Sequence, residues 1–122
     1  MRFVTYKSSV GDDRVGIVDG SQVIGAAPGL DMISLLESDG DLLEQGEQIA
    51  QNPHEMVPLA DVVLRAPLQP RSIRDCAGFL QHLRNLADAV DLPVDDRHTL
   101  FPPFYFTNPD TRIGPHDPVP IA

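Results

Sequence analysis

Proline decides most of what this chain can become. A proline has φ locked near −65° and no backbone N–H, so it ends helices and is kept out of central strands. The 122 residues include twelve prolines, and seven of them follow residue 90. The C-terminal third is therefore expected to run as extended, looping chain with little helix. Four of the seven aromatic residues, Phe101, Phe104, Tyr105 and Phe106, lie in that proline-rich stretch.

Ahead of it the patterning is regular. Residues 2–6 (RFVTY) alternate and are rich in β-formers, and RVGIV (14–18) and SQVIG read as two further strands. Asp19-Gly20 predicts a two-residue hairpin turn of type I′, with positive φ at both central residues. Asp31 is a good N-cap for a short helix, MISLLES. Leu42, Leu43, Ile49 and Ala50 suit a second helix, interrupted by Gly46. Pro53 and Pro58 bracket a loop, Val62 to Leu64 reads as a brief strand, and SIRD as another. From Phe79 the apolar positions Phe79, Leu83, Leu86, Ala87 and Val90 recur at helical spacing, and Pro93 is expected to end that helix. The expected class is α+β: a small N-terminal antiparallel sheet with short helices over residues 1–65, then an amphipathic helix and extended segments over 66–122.

Charge narrows the partners. The formal net charge is −9. That disfavours a polyanionic partner, so neither nucleic acid nor an anionic membrane surface is expected. No apolar run is long enough to span a bilayer, and MRFVTYKSS lacks the apolar core of a signal peptide. A single cysteine, Cys76, cannot form an internal disulfide, so the reducing cytoplasm is the expected compartment. Without a CxxC partner, Cys76 reads as a buried structural residue.

Chemistry-bearing residues are few. In RDCAGFLQHLRNL an acid, Asp75, precedes a histidine, His82, by seven positions. On one helix they would share a face roughly 10 Å apart along the axis; with Asp75 at the end of a preceding strand, both could converge on one pocket. A carboxylate suits a hard divalent cation, and a neutral imidazole suits a general base for water. The plainer alternative is that Asp75 caps the helix and His82 lies half-buried beside Leu83 and Leu86. Tyr105 offers a phenolic hydroxyl able to orient a carboxylate or carbonyl oxygen, or it simply joins its neighbours in covering a core. The histidines show neither H-x₃-H nor H-E-x-x-H spacing, and there is no glycine-rich phosphate loop.

In order along the chain, MRFVTYKSSVGDDRVGIVDG, RAPLQPRSIRD, IRDCAGFLQHLRN and FPPFYFTNPDTRIGPHDPVPIA resemble the N-terminal part of the fumarylacetoacetate hydrolase family. The opening block is loosely diagnostic and the last two are fairly specific. The resemblance implies a β-rich N-terminal domain followed by the start of a large mixed β-roll. It implies Mg²⁺- or Ca²⁺-dependent hydrolysis of a C–C bond in a β-diketo or acylpyruvate-type acid, with decarboxylase, hydratase and isomerase relatives. By position, Asp75 corresponds to a metal ligand, His82 to the histidine that activates water, and Tyr105 to a substrate-contacting tyrosine. Asn85 stands where acylpyruvase-like members carry a glutamate, which favours the fumarylacetoacetase-like branch or an inactive one.

The family's remaining metal ligands, a glutamate-x-glutamate pair and another aspartate, fall beyond residue 122. One carboxylate does not satisfy a cation that seeks six or more oxygens. Two classes of function follow. Either the chain is the N-terminal portion of a hydrolase, inactive until a C-terminal portion or a partner chain completes it, or it is a binding or assembly module that has lost chemistry. The small oxo-acid substrate and the homo-oligomeric, commonly dimeric state are carried by the resemblance.

Overall fold

The structure, a computed structural model, describes residues 1–76, 78–101 and 104–121, residue 99 through its backbone alone. The chain is α+β and divides into two compact units, one of residues 1–70 with 111–121 and one within residues 71–110.

The first unit is an antiparallel sheet of β1 (Phe3–Lys7), β2 (Asp13–Asp19), β3 (Gln22–Gly25), β4 (Glu55–Pro58) and β5 (Val63–Leu64), in the order β4-β3-β2-β1-β5. The expected meander is present, with its second turn displaced by one residue. Asp19 pairs with Gln22, which leaves Gly20 and Ser21 as the central residues. Gly20 takes φ of +54° and Ser21 does not join it, so this is not a type I′ turn. Glycine has no Cβ to oppose positive φ, and it takes the position that requires it.

One sheet face carries Val15, Ile17 and Ile24. Two helices cover it: α1 (Met32–Glu37) and α2 (Leu42–Gln51). Met32, Leu35, Ala26 and Ile49 complete the buried core, with Phe3, Leu30 and Leu68 packed at its edge. Asp31 caps α1 as expected, its carboxylate accepting the Ser34 N–H at 2.8 Å. Gly46 does not interrupt α2. A Cβ there would overlap the Met1 sulfur and lie 3.0 Å from Phe3 Cζ, so the glycine lets the helix approach β1. The stretch between Pro53 and Pro58, expected as a loop, contains β4. It lies at the sheet edge and ends on Pro58, where the missing N–H is tolerated.

The opposite face holds a polar lattice. Tyr6, on β1, reaches across β2 and β3 to Glu55 on β4, its hydroxyl donating to Oε1 at 2.7 Å. Glycines clear that path. A Cβ on Gly16 would lie 2.9 Å from Tyr6 Cε1, and one on Gly25 would overlap the Tyr6 hydroxyl. Arg14, 3% exposed, sets Nη1 2.9 Å from Glu55 Oε1 and Nη2 3.3 Å from Asp12. Ser9 donates to the other Glu55 oxygen at 2.7 Å, and Ser8 donates to Asp12. Burial alone would raise the Glu55 pKa; the Tyr6 and Ser9 hydroxyls and the Arg14 charge outweigh it and hold the carboxyl below its usual value. Tyr6 moves up, by burial first and then by its bond to Glu55.

Residues 111–121 return to this unit. Gly114 donates its N–H to Asp117 Oδ2 at 2.8 Å, and Asp117 donates its N–H to the Gly114 carbonyl at 3.2 Å. Arg65, just after β5, sets Nη1 3.3 Å from Asp117 Oδ2 and Nε 3.3 Å from Asp13 Oδ1. A Cβ on Gly114 would stand 2.5 Å from the Leu64 carbonyl oxygen, so only glycine fits there.

The second unit pairs β6 (Ile73–Cys76) with β7 (Phe104–Thr107), antiparallel, and carries α3 (Leu80–Ala89). The helix stops before Pro93: Val90 is its C-cap and Asp91 turns to φ of +53°, a left-handed residue that breaks the repeat. Cys76, read from sequence as buried, is exposed, because a two-stranded ribbon gives a side chain little to hide behind. Among the described residues no helix is long and apolar enough to cross a membrane.

Candidate functional site

Strand alternation builds the site. With Ile73 opposite Thr107 and Asp75 opposite Tyr105, residues 73, 75, 105 and 107 share one face of the ribbon, while 74, 76, 104 and 106 share the other. On the first face Tyr105 donates its hydroxyl proton to Asp75 Oδ2 at 2.7 Å, joining residues thirty apart in sequence. That bond, and then the nearby carboxylate charge, raise the Tyr105 pKa, since loss of the phenolic proton would set two anions side by side. On the second face the Arg74 guanidinium lies 4.8 Å from the Phe106 ring centroid and 5.8 Å from that of Phe104; the two rings meet edge-on at 5.7 Å. A cation over aromatic faces adds about 0.5–1 kcal/mol at an exposed site.

His82 lies in the first turn of α3 with its ring exposed, so it is not the half-buried residue of the plainer sequence reading. Nor does Asp75 cap that helix: the N-cap is Phe79, with no side-chain cap bond. Among the described residues no hydrogen bond or ion pair joins His82 to Asp75. Asn85 is engaged on the same helix, accepting from Gln81 Nε2 at 2.8 Å. Of the three residues singled out in the sequence, the structure brings two, Asp75 and Tyr105, into contact.

A metal requires more than is gathered here. Among the described residues no three of histidine, cysteine, aspartate or glutamate come together as a cation site. Asp75 offers two oxygens, and one already accepts the Tyr105 proton. The donor set does not fit Mg²⁺ or Ca²⁺ on its own.

Two features escaped the sequence. One is the Tyr6–Glu55–Arg14–Asp12 lattice, whose only written trace is the pair of strand glycines, Gly16 and Gly25. The other is a cavity of about 290 Å³ in the first unit, floored by Val15, Leu30 and Ile113 and edged by Arg65 and Asp117. At its edge Arg65 is matched to the carboxylates of Asp13 and Asp117. Comparison with models of known families and with curated proteins gives no match for this chain.

Proposed function

We propose that the chain contributes Asp75, His82 and Tyr105 to the active site of a fumarylacetoacetate hydrolase-like enzyme that cleaves a C–C bond in a β-diketo or acylpyruvate-type acid, and that it is inactive by itself. The observation that carries this reading is the Asp75–Tyr105 hydrogen bond. Two residues picked out by the family likeness meet across one strand pair, although thirty positions separate them.

Each residue has a chemical part. His82, exposed to water, accepts a proton as a neutral imidazole while the resulting hydroxide adds to a carbonyl carbon. The bond to the neighbouring carbon breaks, and that carbon takes the proton, so the elements of water are added across the cleaved bond. Tyr105 has a single O–H, and in this arrangement Asp75 holds it. A substrate carboxylate can only accept, so Tyr105 orients one only after releasing Asp75. One aspartate does not make a cation site, and among the described residues no others join it. Completing it requires carboxylates from residues outside this sequence or from a second chain.

A second reading has its own support. Phe79, Phe101, Phe104 and Phe106 are 83%, 75%, 54% and 65% exposed, which suits a non-catalytic module that associates through this unit, with itself or with another chain.

The test uses the 122-residue chain with Mg²⁺, acetylpyruvate and, as an inert mimic, oxalate. The expected result is no turnover above buffer, together with amide shifts on oxalate addition confined to residues 73–76, 82 and 104–107. Shifts elsewhere, or none, would remove the hydrolase reading and leave the module. Turnover abolished by His82→Ala would disprove inactivity of the lone chain.

A further inference from the structure

The β6–β7 ribbon poses a physical problem that the first unit answers. A two-stranded ribbon is marginal in water, and here a long connection separates its strands, so closure entropy works against the pairing. Both faces of the ribbon are largely exposed, so little core holds it. Yet the chain leaves the first unit a few residues before β6 and re-enters it a few residues after β7, and both crossings are held at one place. Arg65, on the outgoing side, ion-pairs with Asp117 on the returning side, and Gly114 lies against the Leu64 carbonyl. Arg65 is itself fixed to the sheet side by two bonds, its N–H to the Thr5 carbonyl at 2.8 Å and its Nε to Asp13, and next door the Thr5 hydroxyl donates to the Pro67 carbonyl at 2.6 Å.

We propose that the Gly114–Asp117 turn and Arg65 form a clasp that pins both ends of residues 71–110 and thereby keeps β6 in register with β7. Asp117 and Gly114 are then positioning residues for the Asp75–Tyr105 pair, although they belong to the other unit. The clasp replaces the entropy of closing a long free loop with that of a loop already closed outside it. This inference stands apart from the hydrolase reading, since it concerns only which strand pairs with which and how firmly.

Amide hydrogen exchange on the full chain tests it, with Asp117→Ala and Gly114→Ala compared against wild type. Gly114→Ala leaves every charge in place and drives a methyl toward the Leu64 carbonyl; Asp117→Ala removes the ion pair and the side-chain bond that accepts the Gly114 N–H. The expected result for both is exchange in β6 and β7 faster by about tenfold, weaker cross-strand contacts between Asp75 and Tyr105, and unchanged exchange in β2 and β3. Asp117→Asn, which keeps the Gly114 bond and loses the charge, should fall between them and wild type. Loosening confined to residues 111–121, with β6–β7 exchange unaltered, would overturn the proposal. So would equal acceleration in β2 and β3, which would mark a general loss of stability.

Discussion

Glu55→Ala is expected to cost the first unit about 3 kcal/mol, because truncating one partner of a buried ion pair leaves the other charge uncompensated. Arg14 is 3% exposed and would keep only Asp12, while the Tyr6 hydroxyl would lose its acceptor. Against the roughly 5–15 kcal/mol that holds a typical domain together, that is a large share. Urea unfolding followed by far-UV circular dichroism gives the number; a loss below about 1 kcal/mol would contradict the reading of this lattice. Acid adds a second check. The Glu55 carboxyl is held below its usual value in the fold, so its ionised form stabilises the native state at pH values above the unfolded pKa. That contribution disappears as pH falls through the folded value, on the acid side of the unfolded one. Wild type should therefore lose stability more steeply than Glu55→Ala on acidification below about pH 5.

Gly25→Ala should destabilise by about 2–3 kcal/mol, the usual range for forcing a methyl into a filled site. Gly25 is paired on both sides, to Gly16 and to Glu55, so the strand has no room to slide. The new Cβ would overlap the Tyr6 hydroxyl and stand 2.9 Å from Glu55 Cγ. Tyr6, fully buried, must then move or give up Glu55. The double variant discriminates between this and a generic strand effect. Tyr6→Phe removes the offending oxygen at about 1 kcal/mol, the worth of one hydrogen bond. In that background Gly25→Ala should cost clearly less than it does alone. Strict additivity of the two would mean that the clash lies elsewhere.

How much of this could be read in the residues follows from what kind of force sets each part. The N-terminal strands and α1 were legible because local signals agree with the final packing: alternation in RFVTY and RVGIV, and a capping aspartate at 31. Gly46 misled because its helix cost is local, whereas its benefit, room for Met1 and Phe3, is tertiary. The same holds for β4. Its prolines argue for a loop, and only its place at the sheet edge makes them harmless. At the candidate site, spacing drew attention to Asp75 and His82, but the contact that formed is Asp75 with Tyr105. Strand register decides that contact, and no local spacing encodes a pairing thirty residues apart. Cys76 was misjudged for a related reason: cysteine is usually buried, and a ribbon of two strands offers no interior.

The two tyrosines fall one in each unit, Tyr6 sealed beneath the sheet lattice and Tyr105 open on the ribbon, and the chain has no tryptophan. At wavelengths above the phenylalanine band, absorption and emission thus come from two chromophores in opposite surroundings. A quencher dissolved in the solvent reaches Tyr105 directly and reaches Tyr6 only when the sheet opens. With either ring replaced by phenylalanine, the remaining signal follows a single unit, so the melting of each can be watched without attaching a dye.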